Sequence, residues 1–304
     1  MAISEKVSLI EPQLQDASPS VPEKNHARAT LPETPLIKIR VSKKWAAIEL
    51  REIWAHRELL YFLVWRDLKV RYKQTALGAS WVILQPLLMT LVFAVFLGRI
   101  ARVPSESVPY ILFLYSGLLP WTFFSNAVSS SSHSLIASAH MITKVYFPRS
   151  IVPAAAILVR LSDFIIASFV LIILMLYYGR AFTPAILLAP LLILHLTLFA
   201  LGLGMWLSAL NVKYRDIGTA LPVLLQLWMF ASPIIYPSSL VPEGWKLAYE
   251  LNPLTGLVEG FRASLLGLGF NWRSLMISAA ITLALLVYST FAFRRLEDEL
   301  ADVV

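Results

Sequence analysis

A chain of 304 residues that is 58% hydrophobic and only 15% charged, with a mean hydropathy of +0.68, lies outside the range of soluble domains and belongs in a bilayer. Its net charge of +7 calls for no nucleic acid, because the inner flanks of membrane helices are basic in any case. Cysteine is absent, which excludes disulfides and thiolate metal sites.

In chain order, residues 1–36 are rich in Pro, Ser and Glu and carry no apolar segment. They predict a disordered tail, extending to residue 45, with no secretory signal. A basic, aromatic stretch, "VWRDLKVRYK", then precedes the first apolar run. On a helix, Tyr61, Trp65, Leu68 and Tyr72 fall on one side and Arg66, Lys69 and Lys73 on a neighbouring one. That pattern predicts an amphipathic helix along the inner headgroup layer.

Charge-free runs over 74–98, 107–143, 181–212, 217–242 and 274–293 are each long enough for a helix crossing about 30 Å of hydrocarbon. A further run, 151–178, is interrupted only by Arg160 and Asp163, which stand three apart on one helical face and predict a buried ion pair. Spans are therefore expected near 77–99, 108–131, 151–178, 184–210, 218–237 and 272–293, within a transmembrane domain covering 46–295 and followed by a short tail, 296–304. Between the fifth and sixth spans, "EGWKLAYELNPLTGLVEGFRASLLG" offers two helical stretches broken at Asn252-Pro253, each too short to cross. They predict re-entrant outer helices forming a gate, with Glu259 and Arg262 paired at i, i+3. The fold class is thus all-α: six transmembrane helices, an N-terminal interfacial helix, and short re-entrant helices before the last span.

Orientation follows from the basic residues. Of the 26 Lys and Arg, the outer segments hold only Arg99, Arg102, Arg180, Lys246, Arg262 and Arg273, with Arg160 inside the third span. Both termini are expected in the cytoplasm. Two inner loops, "MITKVYFPRSIVP" and "LNVKYRDIG", combine aromatic, basic and helix-breaking residues in a way that suits docking on a protein partner.

The ordered series "RDLKVRYKQTALGASWVILQP", "ITKVYFPRSIVP", "LNVKYRDI", "QLWMFASPIIYP" and "LNPLTGLVEGFR" resembles the membrane subunits of ABC exporters that secrete cell-envelope polysaccharides: the O-antigen, capsule and teichoic-acid permeases. The resemblance runs from about Leu50 to Arg295. Ala139 and His140 depart from it, standing where such permeases carry more amide-rich sequence. It implies that Lys144, Tyr146, Phe147, Pro148, Arg149, Asn211, Arg215 and Asp216 couple the chain to an ATPase. It also implies that Arg66, Lys69, Arg71 and Lys73 lie at a portal where they meet the diphosphate of a lipid carrier. Tyr115, Trp121, Phe123, Phe124, Trp228, Phe230 and Tyr236 are the aromatic residues expected to guide a glycan through a channel.

Rival chemistries find little material. Gly78-Ala79-Ser80 is followed by Trp81 and has no nearby His partner, and no H-E-x-x-H occurs. His195 is the one histidine deep in a span and reads as a hydrogen-bonded packing residue. An ion-coupled carrier requires unpaired carboxylates at mid-membrane, whereas Asp163 has Arg160 beside it. The chain has no G-x-x-x-x-G-K-[ST] phosphate loop and no metal or cofactor motif, so ATP and Mg belong on a separate ATPase. Six spans are few for a glycan-wide pore, which points to a homodimer with two ATPase subunits. Ala200, Gly204 and Ser208, spaced by four, predict a close helix contact in the fourth span. The expected function is the inner-membrane permease of an ATP-driven exporter moving undecaprenyl-linked polysaccharide outward. A teichoic-acid polymer is the alternative cargo.

Overall fold

The computed structural model describes residues 55–73, 80–103, 108–144 and 147–303, with side chains described as far as residue 295. All of these lie in one unit, Ile48–Val304. The predicted tail over 1–45 lies outside the described residues.

Among the described residues every regular element is helical: α1 (Arg57–Lys73), α2 (Ser80–Phe93), α3 (Tyr110–Ala137), α4 (Ala139–Ile142), α5 (Ile151–Tyr177), α6 (Ala189–Lys213), α7 (Asp216–Phe230), α8 (Lys246–Glu250), α9 (Pro253–Leu266) and α10 (Trp272–Val303). Helix α2 runs on as π turns through Ala94–Ile100, and a 3-10 turn, Pro184–Leu188, leads into α6. Five stretches are long and apolar enough to cross a membrane: Ser80–Ile100, Tyr110–Ala137, Ile151–Tyr177, Pro184–Lys213 and Trp272–Arg295. This is an all-α membrane protein.

The fifth predicted span, 218–237, is corrected. Helix α7 stops at Phe230, and its 15 residues reach only about 22 Å at 1.5 Å per residue. Two prolines account for the stop. Pro233 disfavours helical geometry at Ser232 before it and offers no N–H, and Pro237 follows within a turn. The charge-free run from 217 to 242 therefore combines a short helix with an unwound segment. The last helix differs in the other direction, continuing through Val303 where a tail was expected from 296.

Helix α3 is the axis of the bundle. Pro109 starts it, and most of one side is buried against α5 and α6, while α6 packs in turn on α10. The small residues of α6 explain how close the helices come. A Cβ placed on Gly204 would lie 2.5 Å from Ser131 Oγ, and Ala200 and Ser208 are fully buried. The predicted close contact is thus made with α3 of the same chain. Helix α9 has the reverse relation to lipid: 14 residues long, too short to cross, and buried along almost its whole length. Asn252 caps it by accepting from Leu254 N–H, Pro253 occupies its first turn, and Gly267 closes it at φ +70°, a left-handed conformation suited to glycine. In α2 only Pro86 and Thr90 are buried. Thr90 Oγ1 donates to the Pro86 carbonyl at 2.7 Å, while Trp81, Leu88, Leu91, Val92 and Phe96 turn outward.

Candidate functional site

At one end of the bundle the C-terminal parts of α3, α6 and α10 meet the start of α5. Phe147 is their hub, buried with Leu135, Val152, Met205, Ala209 and Phe293. This fixes the two predicted coupling loops at the same end. Lys144, Pro148 and Arg149 border the first loop, whereas Tyr146 lies outside the described residues. Arg215 and Asp216 are exposed in the second. Two members of the predicted docking set are corrected. Phe147 is core. Asn211 is 1% exposed and serves as an internal clip: its Nδ2 donates to the Ser132 carbonyl at 3.1 Å and its Oδ1 accepts from Gly218 N–H at 2.9 Å, which joins α3, α6 and α7.

Helix α1 does not lie free beside the bundle. Leu63 is buried against Ile151 and Ala155, and the last turn of α1 reaches the middle of α5. There Asp163, only 14% exposed, gathers three donors. Arg71 Nη1 lies 3.0 Å from Asp163 Oδ2, Arg160 Nη1 approaches the same oxygen at 3.5 Å, and Tyr72 OH donates to Oδ1 at 2.6 Å. Arg160 Nε also donates to Ser130 Oγ on α3 at 2.8 Å. Burial first, and then the hydrogen bond to Asp163, push the Tyr72 phenol up to about 12, so it remains a protonated donor at physiological pH. The predicted Arg160–Asp163 pair is therefore the longer half of a cluster in which Arg71 makes the shorter contact.

The predicted basic face of α1 is divided by these contacts. Arg71 turns inward to Asp163, and Arg66 pairs with its neighbour Asp67 at 2.8 Å. Lys69 and Lys73 stay exposed, with Lys69 Nζ 4.5 Å from the centre of the Trp65 ring. Tyr61 and Trp65 are outward as well.

At the far end, the unwound segment after α7 is held from two directions. The Arg262 guanidinium donates to the carbonyls of Pro233 and Ile234 and lies 3.8 Å over the Phe113 ring. Gly117 makes room for it, because a Cβ there would meet Arg262 Nη2 at 2.1 Å. Asn252 adds the second hold: Nδ2 donates to the Ala231 carbonyl at 3.1 Å and to Ser232 Oγ at 2.8 Å, and Oδ1 accepts from Trp228 Nε1 at 3.0 Å. Carbonyls freed by the broken helix thus find donors inside the protein, as hydrocarbon depth requires. Pro253 opens α9, and Glu259 stands one turn before Arg262 on it.

The aromatic set is corrected in part. Tyr115, Trp121, Phe123 and Phe124 are buried within this one chain. Tyr115 OH donates to the Ala167 carbonyl at 2.9 Å, Phe124 stacks on Phe199 at 5.2 Å, and Phe123 meets Phe164 at 5.5 Å. All four are packing residues, and Phe123 also lines a cavity that it shares with Arg71, Thr122 and Asp163. Trp228 is half-buried with its edge against Phe124, Phe230 is 47% exposed, and Tyr236 OH donates to the Phe230 carbonyl at 2.7 Å.

The opposite side of α3 is the feature that sequence reasoning missed. Thr122, Ser125, Asn126, Ser129 and Ser130 are only half-buried and His133 is exposed, so they form a polar stripe running along a membrane-length helix. The spacing 122, 126, 129 and 133 carries that signal in the sequence. His195 is as expected, its Nε2 3.0 Å from Thr282 Oγ1 on α10. Among the described residues no cluster of three or more His, Asp or Glu is arranged to hold a metal.

The profile of ABC-2 type transporters matches residues 58–266, a range that takes in α1 through α9. An O-antigen export system permease from Myxococcus xanthus is 31% identical over 262 residues, covering 84% of this chain and 98% of the relative. An O-antigen export system permease from Klebsiella pneumoniae is 28% identical, with 81% and 95% covered. A polysialic acid transport protein from Escherichia coli is 25% identical, with 74% and 90% covered.

Proposed function

This chain belongs to the ABC-2 type transporter family, and from that premise we propose that it is the inner-membrane permease of an exporter that carries undecaprenyl-linked, O-antigen-like polysaccharide out of the cytoplasm. The observation that supports the reading most is the near end-to-end match to O-antigen export permeases on a bundle with five membrane-length helices. The basic end, with Lys144, Arg149, Lys213, Arg215, Arg294 and Arg295, is cytoplasmic by the charge rule, as are both termini. It receives the ATPase, a separate polypeptide that holds ATP and Mg.

Two copies of the chain enclose the path. The polar stripe of α3 supplies hydroxyl and amide groups that exchange hydrogen bonds with a sliding glycan, while Trp228, Phe230 and Tyr236 offer ring faces nearer the outer end. Lys69 and Lys73 face the inner headgroup layer at the portal. Asn252, Pro253, Glu259 and Arg262 position the outer gate.

Purified alone, the chain is expected to hydrolyse no ATP above background; purified from its native cells, it is expected to bring an ATPase with it in a ratio near one to one. Steady hydrolysis by the isolated chain, or no ATPase in the native complex, overturns the proposal.

A further inference from the structure

We propose that the outward side of the seam between α6 and α10 binds an anionic glycerophospholipid of the inner leaflet, its phosphate held by Lys213 and Arg295 and its chains laid along Trp206 and Tyr288. The inference goes beyond the export reading and needs only that these two helices span the membrane with their C-terminal ends inside.

Four contacts set the register of the seam. His195 Nε2 lies 3.0 Å from Thr282 Oγ1 and 3.5 Å from Ser278 Oγ, a Cβ on Gly202 would meet Leu285 at 3.2 Å, and the Trp206 and Tyr288 rings meet edge to face at 5.8 Å. Residue numbers rise together along both helices, so the two run parallel, each α10 residue standing 82 to 87 places after its partner. The same offset brings Lys213 level with Arg295, and these are the last residues of their spans. Each cation follows its ring by seven residues, two helical turns, and so shares that ring's face about 10 Å nearer the cytoplasm.

Burial shows which side of the seam is open. Met205, Ala209 and Phe293 close the side toward the core. On the other side Trp206, Leu210 and Ala292 are half-buried, Tyr288 is 56% exposed, and Lys213 and Arg295 are exposed. Ala292 falls between Tyr288 and Arg295 on one helical face, and its small side chain leaves room there.

The chemistry selects the ligand. Two cations at one headgroup level attract a phosphodiester, and a planar guanidinium pairs with two of its oxygens. A zwitterionic lipid would bring a third cation beside them, whereas an anionic one brings none. In the sequence the acids come only past the span ends, Asp216 after Lys213 and Glu297 after Arg295, further toward the cytoplasm. Trp and Tyr, apolar rings with a polar edge, suit the level just beneath, where glycerol esters meet acyl chains.

The test uses the full-length chain, delipidated in detergent, with phosphatidylglycerol as probe and with phosphatidylcholine and glycerol 3-phosphate as comparison arms. By native mass spectrometry phosphatidylglycerol is expected to bind at least about fivefold more tightly than phosphatidylcholine, and Lys213→Gln or Arg295→Gln each to weaken it by about fivefold. Lys144→Gln removes an exposed cation from the same membrane face outside the seam, and should leave binding unchanged. Phosphatidylglycerol with brominated chains should quench a component of the fluorescence that Trp206→Phe lacks, a readout that serves if a cation variant does not fold. Equal weakening by Lys144→Gln, which would mean diffuse attraction to a basic surface, overturns the proposal. So do unchanged binding in both seam variants, quenching that Trp206→Phe leaves intact, and displacement by glycerol 3-phosphate, which would mean a free phosphate site.

Discussion

Asp163→Ala is expected to lower stability by about 3–5 kcal/mol, the range seen when one partner of a buried ion pair is removed and its counter-charge stays behind. Here two guanidiniums, Arg71 and Arg160, lose their shared acceptor and Tyr72 loses its own. Arg160→Ala should cost much less, about 1–2 kcal/mol, because Asp163 keeps Arg71 at 3.0 Å and Tyr72 at 2.6 Å and the lost contacts are hydrogen bonds of ordinary net value. Changing both residues should cost less than Asp163→Ala alone, since one of the two stranded cations is then gone. Thermal unfolding of the detergent-solubilised variants reads the order directly. Equal single losses that add in the double variant would show that the cluster does not act as a unit.

The second large effect belongs to the basic end. Phe147 and Asn211 are unsuited to testing a docking role, because replacing either disturbs the packing or the clip beneath the loops. Arg215 and Asp216 are exposed and free of that ambiguity. If this end receives the ATPase, Arg215→Ala with Asp216→Ala should leave the chain inserted and folded while weakening the partner. The loss expected is about 2 kcal/mol, or roughly thirtyfold in association, in keeping with an arginine anchor at an interface. The ATPase recovered with the chain should fall accordingly, and lipid-linked polymer should build up inside the cell. Unchanged recovery together with unchanged export would reduce both loops to basic membrane flanks.

How far the sequence could be read depended on what kind of signal each part carries. Charge-free runs reveal four of the five long helices because the bilayer excludes charge over a fixed thickness, and the fifth, 151–177, is legible because its two charges stand three apart and neutralise each other. The same signal failed between 217 and 242, where Arg262 and Asn252, distant in sequence, satisfy an unwound backbone that composition alone cannot distinguish from a helix. The Arg160–Asp163 pair was legible at i, i+3, but the closer partners Arg71 and Tyr72 come from about ninety residues away and only the fold brings them in. Aromatic content misled for a related reason. Phe124 stacked on Phe199 and a ring lining a channel are the same letter, and only burial separates them. The polar stripe from Thr122 to His133 was legible in spacing, and it was obscured by counting the whole run as an uncharged span.

Surface polysaccharide in cells that lack this chain, and in the same cells with it restored, tests the proposed export function most directly. Deletion is expected to abolish the surface polymer while the lipid-linked form accumulates on the cytoplasmic side, and restoring the chain to reverse both. Surface polymer unchanged after deletion, with no cytoplasmic accumulation, would contradict it.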